Sequence, residues 1–98
     1  MEVLNENLWI KEENGVVTIG LTPQLQDEAG DITYANIASL GSIEIDDTLI
    51  NVEASKAAIE VPSPIQGKVI ERNELAEETP SLLNSPDAFN NWIVKLQK

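Results

Sequence analysis

Ile50-Asn-Val-Glu-Ala-Ser-Lys-Ala-Ala-Ile-Glu-Val61, continued by Pro62-Ser-Pro-Ile-Gln-Gly67, is the stretch whose reading decides the fold. Ile50, Val52 and Ala54 alternate with Asn51, Glu53 and Ser55, the period-two pattern of a half-buried strand. Ile59 and Val61 resume the apolar face after Lys56. Pro62 and Pro64 then end the second strand, because neither can donate to a ladder. A hairpin turning on Lys56-Ala57 sets Ser55 against Ala58, Ala54 against Ile59, Glu53 against Glu60 and Val52 against Val61. Two features of that pairing are unfavourable. Glutamates face each other across the ladder, and a two-residue turn favours Gly or Asn, which Lys-Ala does not supply. Lys56 is one of only six basic residues among 98, so at the centre of this hairpin it reads as a displayed chemical handle rather than a solubilising charge. Glu53 and Glu60 are either solvated neighbours of the lysine or marks by which an enzyme with a basic cleft recognises the turn.

Outward from the hairpin, the chain reads as short strands broken by turn signals. Trp9 to Lys11 and Val16 to Leu21 flank an Asn14-Gly15 turn. Thr22, Pro23 and Gly30 are the cap, first residue and stop of a short helix. Asp31 to Ser39 is expected as a strand burying Ile32, Tyr34 or Ile37, with the Tyr34 hydroxyl at the edge, and Gly41 breaks it. Ile43 and Ile45 are expected to pair with Leu49 to Ser55 around an ordinary Asp46-Asp47 turn. Pro64 to Gly67 is a turn in which Gly67 supplies backbone freedom. Lys68 to Glu71 is a strand, Thr79-Pro80 opens a helical turn through Leu83, and Trp92 to Leu96 is the last strand. Trp9 and Trp92 are assigned to core or rim packing. The sum is one mostly β domain over residues 1–98, a small closed or nearly closed architecture with one or two short helices.

Composition narrows the function. Acidic residues outnumber basic ones 17 to 6, so phosphate would be repelled over most of the surface and nucleic-acid binding is disfavoured. The charge fits solubility, and docking onto basic surfaces of larger partners. The chain has no cysteine and no histidine, which removes disulfides, thiolate metal sites and the usual nucleophilic triads. No calcium-loop pattern is present. No leader or membrane span is read, and a cytoplasmic location is expected. Such a chain is poorly equipped for catalysis, and any reactive atoms would come from something attached to it.

Glu53-Ala-Ser-Lys56-Ala57, followed by Ser63-Pro-Ile-Gln-Gly67-Lys-Val, resembles the lipoyl attachment site of the glycine cleavage system H protein family. That family's pattern is Glu-Ser-Val-Lys-Ala and then Ser-Pro-x-x-Gly-x-Val. The resemblance extends to Gly15-Val-Val-Thr-Ile-Gly-Leu-Thr22, Gly30-Asp-Ile-Thr-Tyr34, Asn73, Pro80, Leu82-Leu83-Asn84 and Trp92, and covers roughly residues 8 to 97. It implies a barrel-sandwich hybrid fold, lipoate in amide linkage to Lys56, and a non-enzymatic carrier. Glu53, Ser55, Ala57, Glu60 and Gly67 are then the residues by which the attachment hairpin is recognised. The implied partners are a lipoate-protein ligase or lipoyl transferase, glycine decarboxylase, aminomethyltransferase and dihydrolipoamide dehydrogenase. A biotin carrier fits less well, because methionines usually flank the lysine in those domains.

The chain departs from that pattern in several places. Ser55 stands where Val is usual before the lysine. Glu6-Asn-Leu-Trp9 replaces a lead-in containing His-Glu, Ile37-Ala38 replaces Leu-Pro, and Asn91 replaces the Gly before the terminal Trp. The segment between Gly41 and the hairpin is one residue shorter. The departures spare the lysine and alter its surroundings, which fits a short H-like branch. In such a branch the lipoylated chain is a redox or stress-response target of lipoate ligase and ADP-ribosylation or macrodomain enzymes, with Glu53 and Glu60 as candidate sites of further modification. An unmodified binding module on the same fold is a third reading.

Overall fold

The computed structural model describes residues 2–98. Their strands form two antiparallel sheets. In the six-stranded sheet, β1 (Glu2–Val3), β2 (Leu8–Glu13) and β3 (Val16–Leu21) lie side by side, and β3 pairs with β9 (Trp92–Gln97). Beyond it come β8 (Gly67–Arg72) and β5 (Gly41–Ile43). The three-stranded sheet is ordered β4 (Ile32–Ile37), β6 (Thr48–Ala54), β7 (Ala58–Pro62). Helices α1 (Pro23–Ala29), α2 (Glu74–Glu78) and α3 (Ala88–Asn91), with a 3-10 turn at Pro80–Asn84, complete the described residues.

Local signals account for much of this. Glu13 and Val16 are paired across Asn14-Gly15, and both turn residues have positive φ (52° and 81°). That is the primed turn whose twist matches the strands. At α1 the Thr22 hydroxyl accepts the Leu25 N–H, Pro23 takes the first turn, and Gly30 ends the helix at φ 80°, so each residue serves its expected role. Between the sheets, Ile19, Leu21, Leu25, Leu49, Ile50, Leu83 and Leu96 are fully buried in one apolar cluster. With aromatics at 4% of the chain, aliphatic side chains fill this space.

The outer strand β4 is closed off by side chains rather than by a further strand. Asn84 accepts the Ile32 N–H at 2.9 Å, and a Glu77 carboxylate oxygen accepts the Ile37 N–H at 2.9 Å. Arg72 donates to the Ile37 and Ala38 carbonyls at 2.9 Å each while gripping both Glu77 oxygens at 2.8 and 2.9 Å. The only arginine of the chain therefore ties β8 of one sheet to the edge of the other and satisfies backbone groups an open edge would expose.

Several expectations are corrected. Gly41–Ile43 joins β8 in the large sheet and does not pair with the strand beginning at Thr48. Ile45 is exposed. The residues between them carry Asp46 at φ 74° and Asp47, whose carboxylate accepts the Glu44 N–H, so the turn redirects the chain between sheets. Tyr34 is 50% exposed, because Ile32, Ala35 and Ile37 supply the buried face of β4. Strand β1 and helices α2 and α3 had no sequence expectation. Gly67 has no left-handed φ. It is small because an added Cβ would lie 2.7 Å from the Gln97 carbonyl oxygen. Trp9 is buried, stacked where Gly20 leaves room for its indole, and its N–H donates to Asn91 at 2.9 Å. No helix of the described residues is long and apolar enough to cross a membrane.

Candidate functional site

The β6–β7 hairpin is present, but its register is slid by two residues from the expectation. Val52 faces Ile59, Glu53 faces Ala58 and Asn51 faces Glu60. The turn residues are Ser55 and Lys56, with the Ala54 N–H donating to the Ala57 carbonyl at 3.0 Å. Because side chains alternate with period two, the slide keeps Val52, Ile59 and Val61 on the core face. It also separates the two glutamates. The opposed-carboxylate reading is overturned, and the like-charge conflict it implied does not exist.

What holds a Ser-Lys turn in place is tertiary contact. The Ser55 N–H donates to the Asp31 carbonyl at 2.9 Å, and the Asp31 N–H donates to the Ser55 hydroxyl at 3.0 Å. One residue on, the Lys56 N–H donates to the Ala29 carbonyl at 2.9 Å. The lysine side chain then lies back over the end of α1, its Nζ donating to the Asp27 carbonyl at 3.1 Å. Helix α1 has no basic residue of its own in its last turn, so a cation arriving from another strand meets the unpaired carbonyls there.

Lys56 is exposed and makes no ion pair among the described residues. The segment that carries its turn adds Asp27, Glu28 and Asp31, and Glu53 stands three positions before it. The setting is a single amine on an acidic shoulder. Two surface grooves, one of about 540 Å³ beside Ile43, Ile65 and Lys98 and one of about 390 Å³ beside Trp9, Phe89 and Trp92, both exclude it. The geometry offers an accessible amine for acylation, and neither groove encloses it. No group of three or more potential metal ligands is gathered among the described residues.

The other expected site residues divide. Ser55 forms the turn with Lys56, Ala57 closes it opposite Ala54, and Glu53 is exposed on the preceding strand. Glu60 is exposed farther down the ladder, opposite Asn51. Gly67 belongs to β8 in the other sheet, against the last strand, and is not brought to the turn. Sequence reasoning missed Ala29, Gly30 and Asp31, which bear the turn. Gly30 and Asp31 were visible as a helix stop and the start of a strand, but their contacts with the turn reach across more than twenty residues.

Comparison with known proteins bears on the family and the fold. The family model described as glycine cleavage H-protein matches residues 1–98. The chain is 38% identical over 96 residues to a glycine cleavage system H-like protein of Staphylococcus aureus, covering 98% of this chain and 87% of that protein. It is 41% identical over 91 residues to a probable glycine cleavage system H protein of Thermococcus gammatolerans, covering 91% and 67% respectively. The fold matches the crystal structure of a glycine cleavage system H protein from Mycobacterium marinum with a TM-score of 0.85 at 20% identity, over 97% of this chain and 80% of that one. Barrel-sandwich layering, a lysine displayed on a braced turn and these likenesses together show that the chain belongs to the glycine cleavage H-protein family.

Proposed function

We propose that the chain is a non-enzymatic lipoyl carrier with its attachment point at Lys56. The observation that carries the reading is the exposed Lys56 amine on a turn fastened by three hydrogen bonds, two from its own backbone and one to the Ser55 hydroxyl. The residues fit the group, since amide formation needs a reachable amine and nothing in the turn overlies it. When bound, a lipoyl group supplies two sulfurs that cycle between disulfide and dithiol, chemistry a cysteine-free chain lacks. The protein's own contribution is to hold the tether's root still and keep it in water. A flexible tether rooted there raises the effective concentration of whatever it carries at each partner's site. The acidic shoulder steers basic partner surfaces toward the turn. Partners of this reading are a lipoate-protein ligase or lipoyl transferase, then glycine decarboxylase, aminomethyltransferase and dihydrolipoamide dehydrogenase, in the cytoplasm.

Intact mass of the folded chain, after incubation with lipoate, ATP and a lipoate ligase, tests it. One lipoyl group per chain is expected, and none on Lys56→Arg. An unchanged mass for the folded wild-type chain rejects the reading.

A second reading is favoured by the likeness to the S. aureus H-like protein, 38% identical over 98% of this chain. In this reading the lipoylated chain serves a redox response, with ADP-ribosylation or macrodomain enzymes as partners. Glycine decarboxylation–exchange with the other cleavage components decides between the two. Support of exchange by the lipoylated chain favours the carrier role, and failure to support it favours the H-like role.

A further inference from the structure

A two-residue hairpin loop usually relies on Gly, Asn or Asp for its positive φ angles. Ser55-Lys56 has none of these, and neither residue has a positive φ. The turn must therefore be held by something outside itself. The end of α1 supplies it. Ser55 and Asp31 exchange two hydrogen bonds, Ser55 N–H to Asp31 carbonyl and Asp31 N–H to Ser55 hydroxyl, and the Lys56 N–H reaches the Ala29 carbonyl. Between those contacts sits Gly30 at φ 80°, a conformation L side chains rarely adopt. A Cβ there would overlap the Ser55 hydroxyl oxygen and lie 3.0 Å from Lys56 Cγ. A side chain at position 30 would therefore meet the Ser55 and Lys56 side chains, at a φ that itself favours glycine.

We propose that Gly30 and Ser55 are positioning residues for modification of Lys56, clamping its turn onto the end of α1 so that one amine is presented in one place. The assignment rests on the attachment reading above. Transfer from an acyl-adenylate donor defines what is positioned. The Lys56 ammonium gives up one proton and leaves the Asp27 carbonyl, and its nitrogen attacks the acyl carbon. The N–C bond forms, the bond from carbon to phosphate oxygen breaks with its electron pair leaving on the adenylate, and a second proton leaves the nitrogen. A turn free to wander would present the amine to that carbon only part of the time, which lowers the reactive fraction without touching the chemistry.

The test uses the whole chain as wild type, Ser55→Ala, Gly30→Ala and the double variant. Amide exchange at Ser55 and Lys56 is followed by NMR, and acylation by a lipoate ligase by intact mass. Ser55→Ala should speed exchange at both amides by about tenfold and lower kcat/KM for acylation by about three- to tenfold, the size of one lost hydrogen bond. Circular dichroism should stay that of the wild type. Gly30→Ala should cost more, and adding Ser55→Ala should cost less than the product of the two, because the hydroxyl met by the new Cβ is gone. Wild-type exchange and acylation in Ser55→Ala overturn the assignment, as does simple multiplicativity in the double variant. If Gly30→Ala does not fold, Ser55→Ala decides alone. A wild-type chain with both amides protected but never acylated overturns the attachment reading itself, and leaves the clamp as structure only.

Discussion

Replacing Arg72 with methionine should cost far more stability than removing any lysine. Methionine keeps most of the apolar stem packing and deletes the guanidinium, which makes four hydrogen bonds of 2.8–2.9 Å to Glu77, Ile37 and Ala38. Its side chain is only 17% exposed and that of Glu77 only 25%. After substitution the Glu77 carboxylate keeps the Ile37 N–H but loses its counter-charge, and two carbonyls lose a donor. Breaking a fully buried pair costs about 3–5 kcal/mol. Water reaches a quarter of Glu77, so the loss here should be about 2–3 kcal/mol. With a urea slope of about 1.5 kcal/mol/M for a small domain, the midpoint should fall by about 1.5 M. Lys95→Met is the control. It breaks the exposed pair with Glu71 and should cost under about 1 kcal/mol. In the Arg72→Met background, Glu77→Gln should be neutral or stabilising, because it discharges a stranded carboxylate while an oxygen still meets Ile37. An Arg72→Met loss no larger than that of Lys95→Met would refute the view that this ion pair joins the two sheets.

Gly20→Ala should destabilise by about 1–3 kcal/mol, the usual cost of overpacking, because the new Cβ would overlap the Trp9 indole. Red-shifted tryptophan emission in the folded variant would show the ring displaced, and unchanged emission and stability would contradict the packing. Gly67→Ala should also destabilise, through the Gln97 carbonyl 2.7 Å from its Cβ, while leaving acylation of Lys56 unchanged; slower modification of a folded variant would restore Gly67 to the recognition set. Lys56→Arg should abolish attachment and leave the urea midpoint close to that of the wild type, as expected for an exposed side chain. The Glu13 carboxyl should titrate below the usual range, because Lys11 hydrogen-bonds to it and faces it with positive charge. Its folded pKa is depressed, so any stabilisation it gives is present above the unfolded pKa and fades as pH falls through the folded one. Carboxyl NMR of Lys11→Ala should show it raised toward the ordinary value, with Lys95 still exerting a small lowering, and no change would deny the contact.

What was legible in the sequence was what local chemistry decides. Asn14-Gly15 carries its own positive φ angles, and Thr22-Pro23 with Gly30 carries its own start and stop, so both elements stand where they were read. The 3-10 turn after Thr79 and the strand from Trp92 follow for the same reason. The errors fall where partners distant in the chain decide. Ile43 satisfies an alternation test equally well against β6 or β8, and only the second sheet settles the choice. The hairpin is the instructive case. Its apolar face was read correctly because period two survives a slide of two residues, and its register was missed because nothing in Ser55-Lys56-Ala57 prefers one turn centre over another. The centre observed is the one fastened to Ala29 and Asp31, on either side of Gly30 and more than twenty positions away, where the Asp31 N–H and carbonyl both meet Ser55. A turn without turn residues is therefore informative in itself. It says that the lysine is placed by the body of the protein rather than by its own loop, and on the attachment reading the determinants of its modification extend to the helix beneath it.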